Sequence, residues 1–360
     1  MMSVKPVLIM AGGTGGHVFP ALAVADELRA RGVPVVWLGT HKGIEARVVK
    51  KAGYQIEWLS ITGLRGKSTA TLLLAPVRLV IACSQAFKVL WQRKPCAVLG
   101  MGGFTAGPGG LMAWLMRKPL VIHEQNAVAG LTNRILARLA GNVLEAFPHT
   151  FKRKTQAVGN PVRTDIQQLT EPRTRLASHD GALRVLVIGG SLGAVRLNQI
   201  VPEAIAKIAS EARPQIWHQT GLANLELAQQ GYNEHGVEAR VDAFIDDMAE
   251  AYNWADLVIC RAGAMTIFEL AAAGVGAILI PYPYAVDDHQ TANANYLVDA
   301  GAAILKQQSE LSSEWLSDTI VKLTQQRDSL VNMAVAARSM AKPNAAIQVA
   351  DCCMQAGGIA

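Results

Sequence analysis

The stretch that decides the fold is LVICRAGAMTIFE, residues 257–269. Its first four residues are apolar and predict a buried strand, and the small residues after them predict a tight turn into a helix. The first N–H groups of a helix lack backbone partners, and its positive end favours an anion such as a pyrophosphate. Glu269 lies a turn further along, where a carboxylate can accept hydrogen bonds from two ribose hydroxyls. The stretch therefore predicts a strand–turn–helix unit that binds a nucleotide diphosphate.

The same alternation of short apolar runs and helical segments extends along the whole chain. The strand candidates are Val7–Met10, Val35–Leu38, Ile56–Leu59, Ala97–Leu99, Leu120–Ile122, Arg184–Ile188, Ile216–His218, Leu257–Cys260 and Ala277–Ile280. Helical segments of about a dozen residues between them predict parallel sheets with crossover helices. The alternation restarts after Gly159-Asn160-Pro161, so we predict an α/β protein with two doubly wound domains.

The composition excludes several classes of protein. With 360 residues, 51% of them hydrophobic and 17% charged, the chain can bury two cores and is not typical of disorder. Its five cysteines include no Cys-x-x-Cys pair, which favours reduced thiols in a cytosolic protein over a zinc site or disulfides. We expect no signal peptide. The longest uncharged stretch, residues 270–286, contains glycines and prolines and is not typical of a membrane span.

The charge is distributed unevenly. Residues 1–160 contain 20 Lys and Arg against 6 Asp and Glu, a net charge of +14, whereas the remainder contains 14 against 22, a net charge of −8. A basic first half indicates an anionic partner, which the charge alone leaves open between nucleic acid, an anionic membrane and a phosphorylated substrate.

Three polar or glycine-rich motifs follow predicted strands of the first half. Gly-Gly-Thr-Gly-Gly-His at 12–17 precedes a helix expected from about Phe19, a second glycine loop spans 100–110, and His-Glu-Gln-Asn occupies 123–126. Glycines at a strand's carboxyl end let backbone N–H groups approach a phosphate. A structural role is an alternative for each side chain of the polar cluster, but four polar residues in succession favour a binding site.

Two alternatives for these motifs can be weighed. The third glycine of the dinucleotide fingerprint would fall at Val18, and the ribose-binding acid is missing after the second strand, so a nicotinamide cofactor is disfavoured. A plain tight turn leaves unexplained why His17 ends the first loop.

In the second half, Gly189-Gly190-Ser191 forms another turn suited to phosphate. The acids of Asp287-Asp288-His289 are more typical of helix capping than of a metal site.

The segment from Thr69 to Trp91 is helical in length and rich in aliphatic residues, with basic residues within and beside it. Such a surface is typical of a helix on anionic lipid, and a buried helix whose cations reach solvent is an equal alternative. Pro76 predicts a break or kink. The residues we assign to acceptor or membrane contact are Gly102, Gly103, Phe104, Leu73, Leu74, Arg78 and Trp91.

Together these motifs resemble the MurG-type UDP-N-acetylglucosamine transferases of peptidoglycan synthesis. Further matching pieces are Gly-Leu-Arg-Gly-Lys at 63–67, Gly-Met-Gly-Gly-Phe at 100–104, Gly-Asn-Pro-Val-Arg at 159–163, Phe-Ile-Asp-Asp-Met at 244–248, the Ala264–Glu269 element and Gln290. The pieces run through most of the chain in the family's order, and the set is very specific.

The resemblance implies the glycosyltransferase-B fold, two Rossmann-like domains facing across a cleft. It implies an acceptor-binding, membrane-associated domain at residues 1–162 and a UDP-GlcNAc-binding domain at 163–342. The last helix, about Asn344 to Ala356 within 343–360, would pack back on the first domain. The implied reaction moves GlcNAc from UDP-GlcNAc to the 4-hydroxyl of MurNAc in undecaprenyl-pyrophosphoryl-MurNAc-pentapeptide (lipid I), with inversion, to form lipid II.

The resemblance also implies roles for single residues. Ser191 and the backbone at Ala264, Met265 and Thr266 would bind the diphosphate, with Ile267 and Phe268 on the same element. Ile245 would meet uracil through its main chain, Glu269 the ribose and Gln290 the sugar hydroxyls. Arg163 and Asn126 would contact the donor. Thr14, Gly15 and Gly16 are assigned to the donor, and the acceptor pyrophosphate is an equal alternative. Phe268 and Leu192 depart from the small polar residue and the glutamine that the family often has at these places.

For the acceptor hydroxyl, the first candidate base is His17 and the second is Glu124, because an imidazole or a partly buried carboxylate can titrate near neutral pH. Neither a metal nor another cofactor is expected. The implied location is the cytoplasmic face of the bacterial inner membrane, peripherally bound, with cell-wall synthesis proteins as partners and no nucleic acid. Three other functions stay open: a UDP-GlcNAc epimerase, a glycolipid galactosyltransferase and a nucleotide-binding regulator without chemistry.

Overall fold

The computed structural model describes residues 4–61, 74–190 and 194–359. Leu73, Ser191, Leu192 and the motif at 63–67 lie outside the described residues. The chain folds into two compact units, which we call unit 1 (Met1–Val162 with Pro343–Ala360) and unit 2 (Arg163–Lys342).

Unit 1 is built on a parallel sheet. Its seven strands are Val7–Met10 (β1), Val35–Gly39 (β2), Gln55–Trp58 (β3), Ala97–Gly100 (β4), Leu120–Glu124 (β5), Asn142–Glu145 (β6) and Gln156–Ala157 (β7). The helices between them are Gly15–Ala30 (α1), Glu45–Lys51 (α2), Ala75–Arg93 (α3), Ala106–Leu115 (α4) and Leu131–Leu136 (α5). The strand order is β3-β2-β1-β4-β5-β6-β7, and each strand is parallel to its neighbours because helical crossovers connect most of them.

Unit 2 repeats this architecture. Its strands are Arg184–Ile188 (β8), Gln215–Gln219 (β9), Arg240–Asp242 (β10), Leu257–Cys260 (β11), Gly276–Leu279 (β12) and Ala303–Leu305 (β13). Its helices are Thr164–Gln167 (α6), Pro172–Ala177 (α7), Val195–Ala206 (α8), Leu225–Glu234 (α9), Met248–Trp254 (α10), Ala264–Ala273 (α11), His289–Val298 (α12), Ser313–Gln325 (α13) and Arg327–Ser339 (α14). The parallel strand order is β10-β9-β8-β11-β12-β13.

The last helix, Ala345–Ala356 (α15), belongs to unit 1, where it packs against α1. Val349, Ala350 and Cys353 are fully buried in the same cluster as Val7 and Ile9 of β1. The alternate residues of β1, Leu8 and Met10, point to the opposite cluster with α3 and α4, since successive strand side chains face opposite sides of a sheet. Helices on both faces explain why the inner strands are apolar throughout.

The order of both sheets reverses at one place, between β1 and β4 in unit 1 and between β8 and β11 in unit 2. Loops that leave the carboxyl ends of strands at such a point diverge and leave a crevice where ligands bind in α/β folds. The loops after β1 and β4 hold the two glycine motifs of unit 1, and β11 is followed by the Ala264–Glu269 element, so these predicted binding residues lie at the carboxyl edges of the sheets.

The nine predicted strands are all present, with ends that shift by one or two residues. The prediction omitted β6, β7 and β10, which are short and carry polar residues, and β13, whose apolar run Ala303–Leu305 is only three residues long. The break predicted at Pro76 coincides with the start of a helix, because α3 begins at Ala75 and Pro76 lies in its first turn. A missing N–H costs little in the first turn of a helix, where N–H groups have no backbone partner.

Candidate active site

The two glycine loops of unit 1 touch through their backbones. A Cβ atom on Gly103 would lie 2.3 Å from the carbonyl oxygen of Gly12, and Gly103 has a left-handed φ of +80°. Gly102 has a φ of +90°, and a Cβ atom there would lie 2.8 Å from Nδ1 of His17. The ring of Phe104 lies against Gly13, 3.2 Å from the position of a Cβ. The structure therefore gives Gly102, Gly103 and Phe104 a packing role beside the first loop.

Helix α1 begins earlier than the sequence suggested. Thr14 occupies its N-cap position, so Gly15, Gly16 and His17 form its first turn, and the expected start at Phe19 is wrong. Without side chains, the two glycines leave their own N–H groups accessible, whereas the N–H of His17 donates to the carbonyl oxygen of Thr14 at 3.2 Å. His17 is partly exposed, and Thr14 and Gly16 are exposed. The first turn of α1 is thus open to an anionic ligand.

Glu45 anchors the first glycine loop, a role that the sequence did not reveal. This carboxylate on α2 is fully buried and accepts hydrogen bonds from Gly13 N at 3.1 Å and from Thr40 N and Oγ1 at 3.0 and 2.8 Å. A lone glutamate in a short helix carries no signal of this kind in a sequence, because its three donors come from residues up to 32 positions away.

His17 is held by its neighbour from strand β5. Its Nδ1 lies 3.0 Å from Oε1 of Gln125, a residue that is 1% exposed. The amide nitrogen of Gln125 donates in turn to Nδ1 of His123 at 3.1 Å, and Nε2 of His123 lies 2.9 Å from the carbonyl oxygen of Gly159. Burial lowers the pKa of His123 to about 4, so this ring is neutral at physiological pH.

Glu124, the second candidate base, has four hydrogen-bond donors. Oε1 accepts from the backbone and side-chain nitrogens of Asn126 at 3.0 and 3.2 Å, and Oε2 accepts from Gly130 N at 3.1 Å and from Asn133 Nδ2 at 2.9 Å. The carboxylate is 1% exposed. It organises the loop between β5 and α5, and its oxygens are occupied. The side chain of Asn126 therefore points toward Glu124. Asn133 was not predicted as a partner of Glu124, because the two residues lie nine positions apart in the sequence.

In unit 2, the first turn of α11 follows Gly263, which has no side chain to cap the helix. Ala264, Met265 and Thr266 form that turn, at the N-terminal end of the helix that follows strand β11. The side chains of Ile267 and Phe268 are fully buried, and Phe268 packs on Tyr296 at 5.2 Å between ring centroids. These two side chains belong to the core of unit 2, and the backbone N–H of Ile267 donates to the carbonyl oxygen of Gly263 at 3.0 Å.

Glu269 is held by a buried tyrosine. The hydroxyl of Tyr252 donates to Oε2 of Glu269 at 3.1 Å, which leaves Oε1 for a ligand. Burial raises the pKa of Glu269, and the guanidinium of Arg163 opposes this shift. Arg163 precedes α6 and Glu269 lies on α11. The fold therefore brings together two residues that were predicted to bind the donor substrate and that lie 106 positions apart in the sequence. Tyr252 gave no signal in the sequence, since its hydroxyl meets Glu269 only through the packing of α10 on α11.

Two more predicted donor residues of unit 2 lie on the segments that follow β10 and β12. Ile245 is 5% exposed and follows β10, so its side chain is not available to a base. Gln290, in the first turn of α12, accepts from Tyr282 N at 2.9 Å through Oε1, and its amide nitrogen can donate to a sugar hydroxyl.

Helices α3, α4 and α5 expose large apolar side chains. The set, which we call the apolar surface, is Leu74, Val77, Leu79, Val80, Ile81, Phe87, Trp91, Trp114, Leu115, Leu131 and Ile135. The three helices pack in succession, α3 on α4 and α4 on α5. Arg78 is partly exposed in the same helix as Trp91. The buried-helix alternative is wrong for this face, because only Ala82, Ala86, Val89 and Leu90 of α3 are buried.

Among residues 4–61, 74–190 and 194–359, no group of three His, Cys, Asp or Glu side chains is arranged to hold a metal ion. Of the helices within these ranges, none has the length and hydropathy needed to cross a membrane.

Comparison with known proteins decides the family. The sequence is 57% identical over 351 residues to a protein of Nitrosococcus oceani named UDP-N-acetylglucosamine–N-acetylmuramyl-(pentapeptide) pyrophosphoryl-undecaprenol N-acetylglucosamine transferase, covering 97% of this chain and 98% of that protein. The N-terminal and C-terminal domains of glycosyltransferase family 28 match residues 7–145 and 184–349. The chain belongs to glycosyltransferase family 28.

Other members of family 28 give the same result. A protein of Marinobacter nauticus with the same name is 54% identical, over 97% of each chain. The crystal structure of MurG from Acinetobacter baumannii superimposes with a TM-score of 0.85 at 44% identity, covering 98% of this chain and 99% of that one. The MurG-type resemblance and the glycosyltransferase-B fold are therefore confirmed. The roles of individual site residues remain predictions.

Proposed function

We propose that this protein is the inverting glycosyltransferase that moves GlcNAc from UDP-GlcNAc to the 4-hydroxyl of MurNAc in undecaprenyl-pyrophosphoryl-MurNAc-pentapeptide (lipid I), forming lipid II for peptidoglycan synthesis. The observation that carries this proposal is the 57% identity, over 97% of the chain, to a relative named for this transfer. An exposed apolar surface in the basic half supports a lipid-linked acceptor.

Unit 2 binds the nucleotide sugar in this proposal. The first turn of α11 faces the diphosphate, and the N–H groups of Met265 and Thr266 stabilise the charge that develops on the leaving UDP. Glu269, with Oε2 already bound to Tyr252, accepts the ribose hydroxyls through Oε1. Arg163 adds a positive charge near this carboxylate, and Gln290 donates to the sugar.

Unit 1 binds the acceptor in this proposal. Thr14 at the N-cap of α1 and Gly15 and Gly16 in its first turn form an open helix start, which suits the acceptor pyrophosphate. His17 takes the proton of the 4-hydroxyl, and the resulting oxygen displaces UDP at the anomeric carbon. We favour His17 over Glu124 as the base because both oxygens of Glu124 already accept two hydrogen bonds each.

The apolar surface supports peripheral attachment to the cytoplasmic face of the inner membrane, where the nucleotide sugar is available. Single exposed apolar residues are normal on a protein surface, but the apolar surface groups eleven large apolar side chains on three packed helices. The basic residues of the same half favour anionic lipid.

The activity is tested with radiolabelled UDP-GlcNAc, with and without lipid I in detergent micelles. Release of UDP and labelled lipid II only with the acceptor supports the proposal. UDP release or sugar epimerisation without acceptor, or transfer to diacylglycerol alone, would overturn it.

The base is tested by His17→Ala. We expect kcat at saturating substrates to fall by roughly 10² to 10⁴-fold with an unchanged melting temperature, since a positioned base contributes about that much. Near-normal turnover of this variant would place the base elsewhere.

A further inference from the structure

The hydrogen bonds that connect His17 to Gln125, His123 and Gly159 determine which ring nitrogen of His17 carries the hydrogen. The carbonyl oxygen of Gly159 can only accept, so Nε2 of His123, 2.9 Å away, carries a hydrogen. His123 is fully buried and neutral, and its Nδ1 is therefore an acceptor.

This acceptor orients the amide of Gln125. The amide nitrogen lies 3.1 Å from Nδ1 and 3.2 Å from the carbonyl oxygen of His123, two atoms that only accept. Oε1 of Gln125 therefore faces the other way, toward Nδ1 of His17 at 3.0 Å. Because an amide oxygen only accepts, Nδ1 of His17 is the atom that carries a hydrogen.

We propose that Gln125 and His123 are positioning residues for His17: the amide of Gln125, oriented by His123 and the carbonyl of Gly159, keeps a hydrogen on Nδ1 of His17 and a lone pair on Nε2 for the acceptor hydroxyl. This inference rests on the proposed function, in which His17 is the base. Gly102 completes the arrangement, because a Cβ there would lie 2.8 Å from Nδ1 and 2.9 Å from Cε1 of the ring.

The proton balance follows from this tautomer. The acceptor O–H bond breaks as Nε2 of His17 gains the proton, the acceptor oxygen forms a bond to the anomeric carbon, and UDP leaves with the electron pair of the broken C–O bond. His17 then carries hydrogens on both nitrogens, and the Gln125 oxygen still accepts from Nδ1. The opposite tautomer would present an N–H to the hydroxyl and could not take its proton.

The first test needs no substitution. The full-length protein is labelled with ¹⁵N in its histidine rings, and His17 is assigned by the signals that disappear in His17→Ala. In the neutral ring of His17, we expect a protonated Nδ1 and an unprotonated Nε2. A protonated Nε2 in the wild type would overturn the proposal whatever the enzyme's activity.

The second test is a double-mutant cycle on transfer to lipid I. Gln125→Met removes the acceptor at similar volume, and we expect kcat to fall by about tenfold or more, as part of the effect of a positioned base, with an unchanged KM for UDP-GlcNAc. In the His17→Ala background, the same substitution should have little further effect, since Gln125 acts through His17.

The matched control is Gln85→Met. Gln85 also lies in unit 1, and its Oε1 accepts a hydrogen bond from Ser60 N, 25 positions away, at 2.7 Å. This substitution should leave kcat unchanged. Equal losses from Gln125→Met with and without His17 would indicate a merely structural role and sink the inference. If the wild type makes no lipid II at all, the proposed function fails, while the ring spectra still report on the tautomer.

Discussion

Glu269 shows how a fold prepares one carboxylate for a hydroxyl ligand. Tyr252 donates to one of its oxygens at 3.1 Å, burial raises its pKa, and Arg163 opposes that shift. A carboxylate with one oxygen fixed and the other open has lost most of its rotational freedom before the ligand arrives, so less entropy is lost on binding.

We expect Glu269→Gln to weaken UDP binding by about 10- to 100-fold, because hydrogen bonds to a charged acceptor are each worth roughly 1.5–3 kcal/mol. Isothermal titration calorimetry with UDP measures the change. Glu250→Gln, at an exposed position in the first turn of α10, is the control and should leave the affinity unchanged. An unaltered Kd for Glu269→Gln would remove this residue from the donor site.

At the scale of single elements, the second glycine loop sets the position of α1. Gly102→Ala adds a Cβ 2.8 Å from Nδ1 of His17, at a backbone φ of +90° that alanine rarely adopts. We expect a loss of kcat of tenfold or more with a lower melting temperature, measured by transfer assay and calorimetry.

Gly107→Ala is the matched control within the same glycine-rich stretch. It lies in α4, and its Cβ would meet only Thr132 Cγ2 at 3.7 Å, an ordinary contact. Since alanine favours a helix over glycine by roughly 0.5–1 kcal/mol, this variant should be at least as stable as the wild type and fully active. Equal damage from both substitutions would show that the loop does not act through His17.

The apolar surface gives the second prediction for an element. Replacing Leu74, Val80 and Trp91 by serine or glutamine should lower binding to anionic liposomes by tenfold or more, since burial of each large apolar side chain contributes up to about 1.5–3 kcal/mol. UDP binding should be unchanged. Co-sedimentation measures the effect, and Leu222→Ser, at a residue 82% exposed in unit 2, is the control. Equal pelleting before and after the triple change would count against membrane attachment here.

At the scale of the whole molecule, each unit encloses a neutral histidine. Burial lowers the pKa of His123 in unit 1 to about 4 and that of His218 in unit 2 to about 3, from 6.5. In unit 2, the two ring nitrogens of His218 lie 2.9 Å from the hydroxyl of Tyr232 and 3.1 Å from Asn198 Oδ1. Unfolding exposes both rings, which then bind protons below pH 6.5.

The folded state binds fewer protons than the unfolded state between the lowered pKa values and 6.5, so its stability falls as the pH falls through this window. We expect each histidine to cost roughly 2 kcal/mol of unfolding free energy between pH 7 and pH 5. Urea unfolding at the two pH values measures the loss. His218→Gln should reduce it, and His235→Gln, at an exposed position, should not. A wild type equally stable at pH 5 and pH 7 contradicts the prediction.

The two parallel sheets, the place where the second one starts, and the loops that carry the predicted binding residues could all be predicted from the amino-acid sequence. These features depend on local patterns: an apolar run of four or five residues, a glycine at a tight turn, a helix that follows. Short polar strands such as Arg240–Asp242 and the true start of α1 at Gly15 were not predicted, because pairing in the sheet and the packing of neighbouring loops define them rather than their own residues.

The contacts that the predicted site residues make could not be predicted from the sequence, because they depend on how the chain packs. In the folded protein, both oxygens of Glu124 accept hydrogen bonds, and Tyr252 donates to Glu269. Glu45 accepts from the first glycine loop, and His17 is connected to Gly159 through Gln125 and His123. Each of these contacts joins residues distant in the chain or depends on the direction of a side chain. A hydrogen bond exists only when donor and acceptor meet within about 3 Å at a suitable angle, and that geometry arises when the sheets and helices pack.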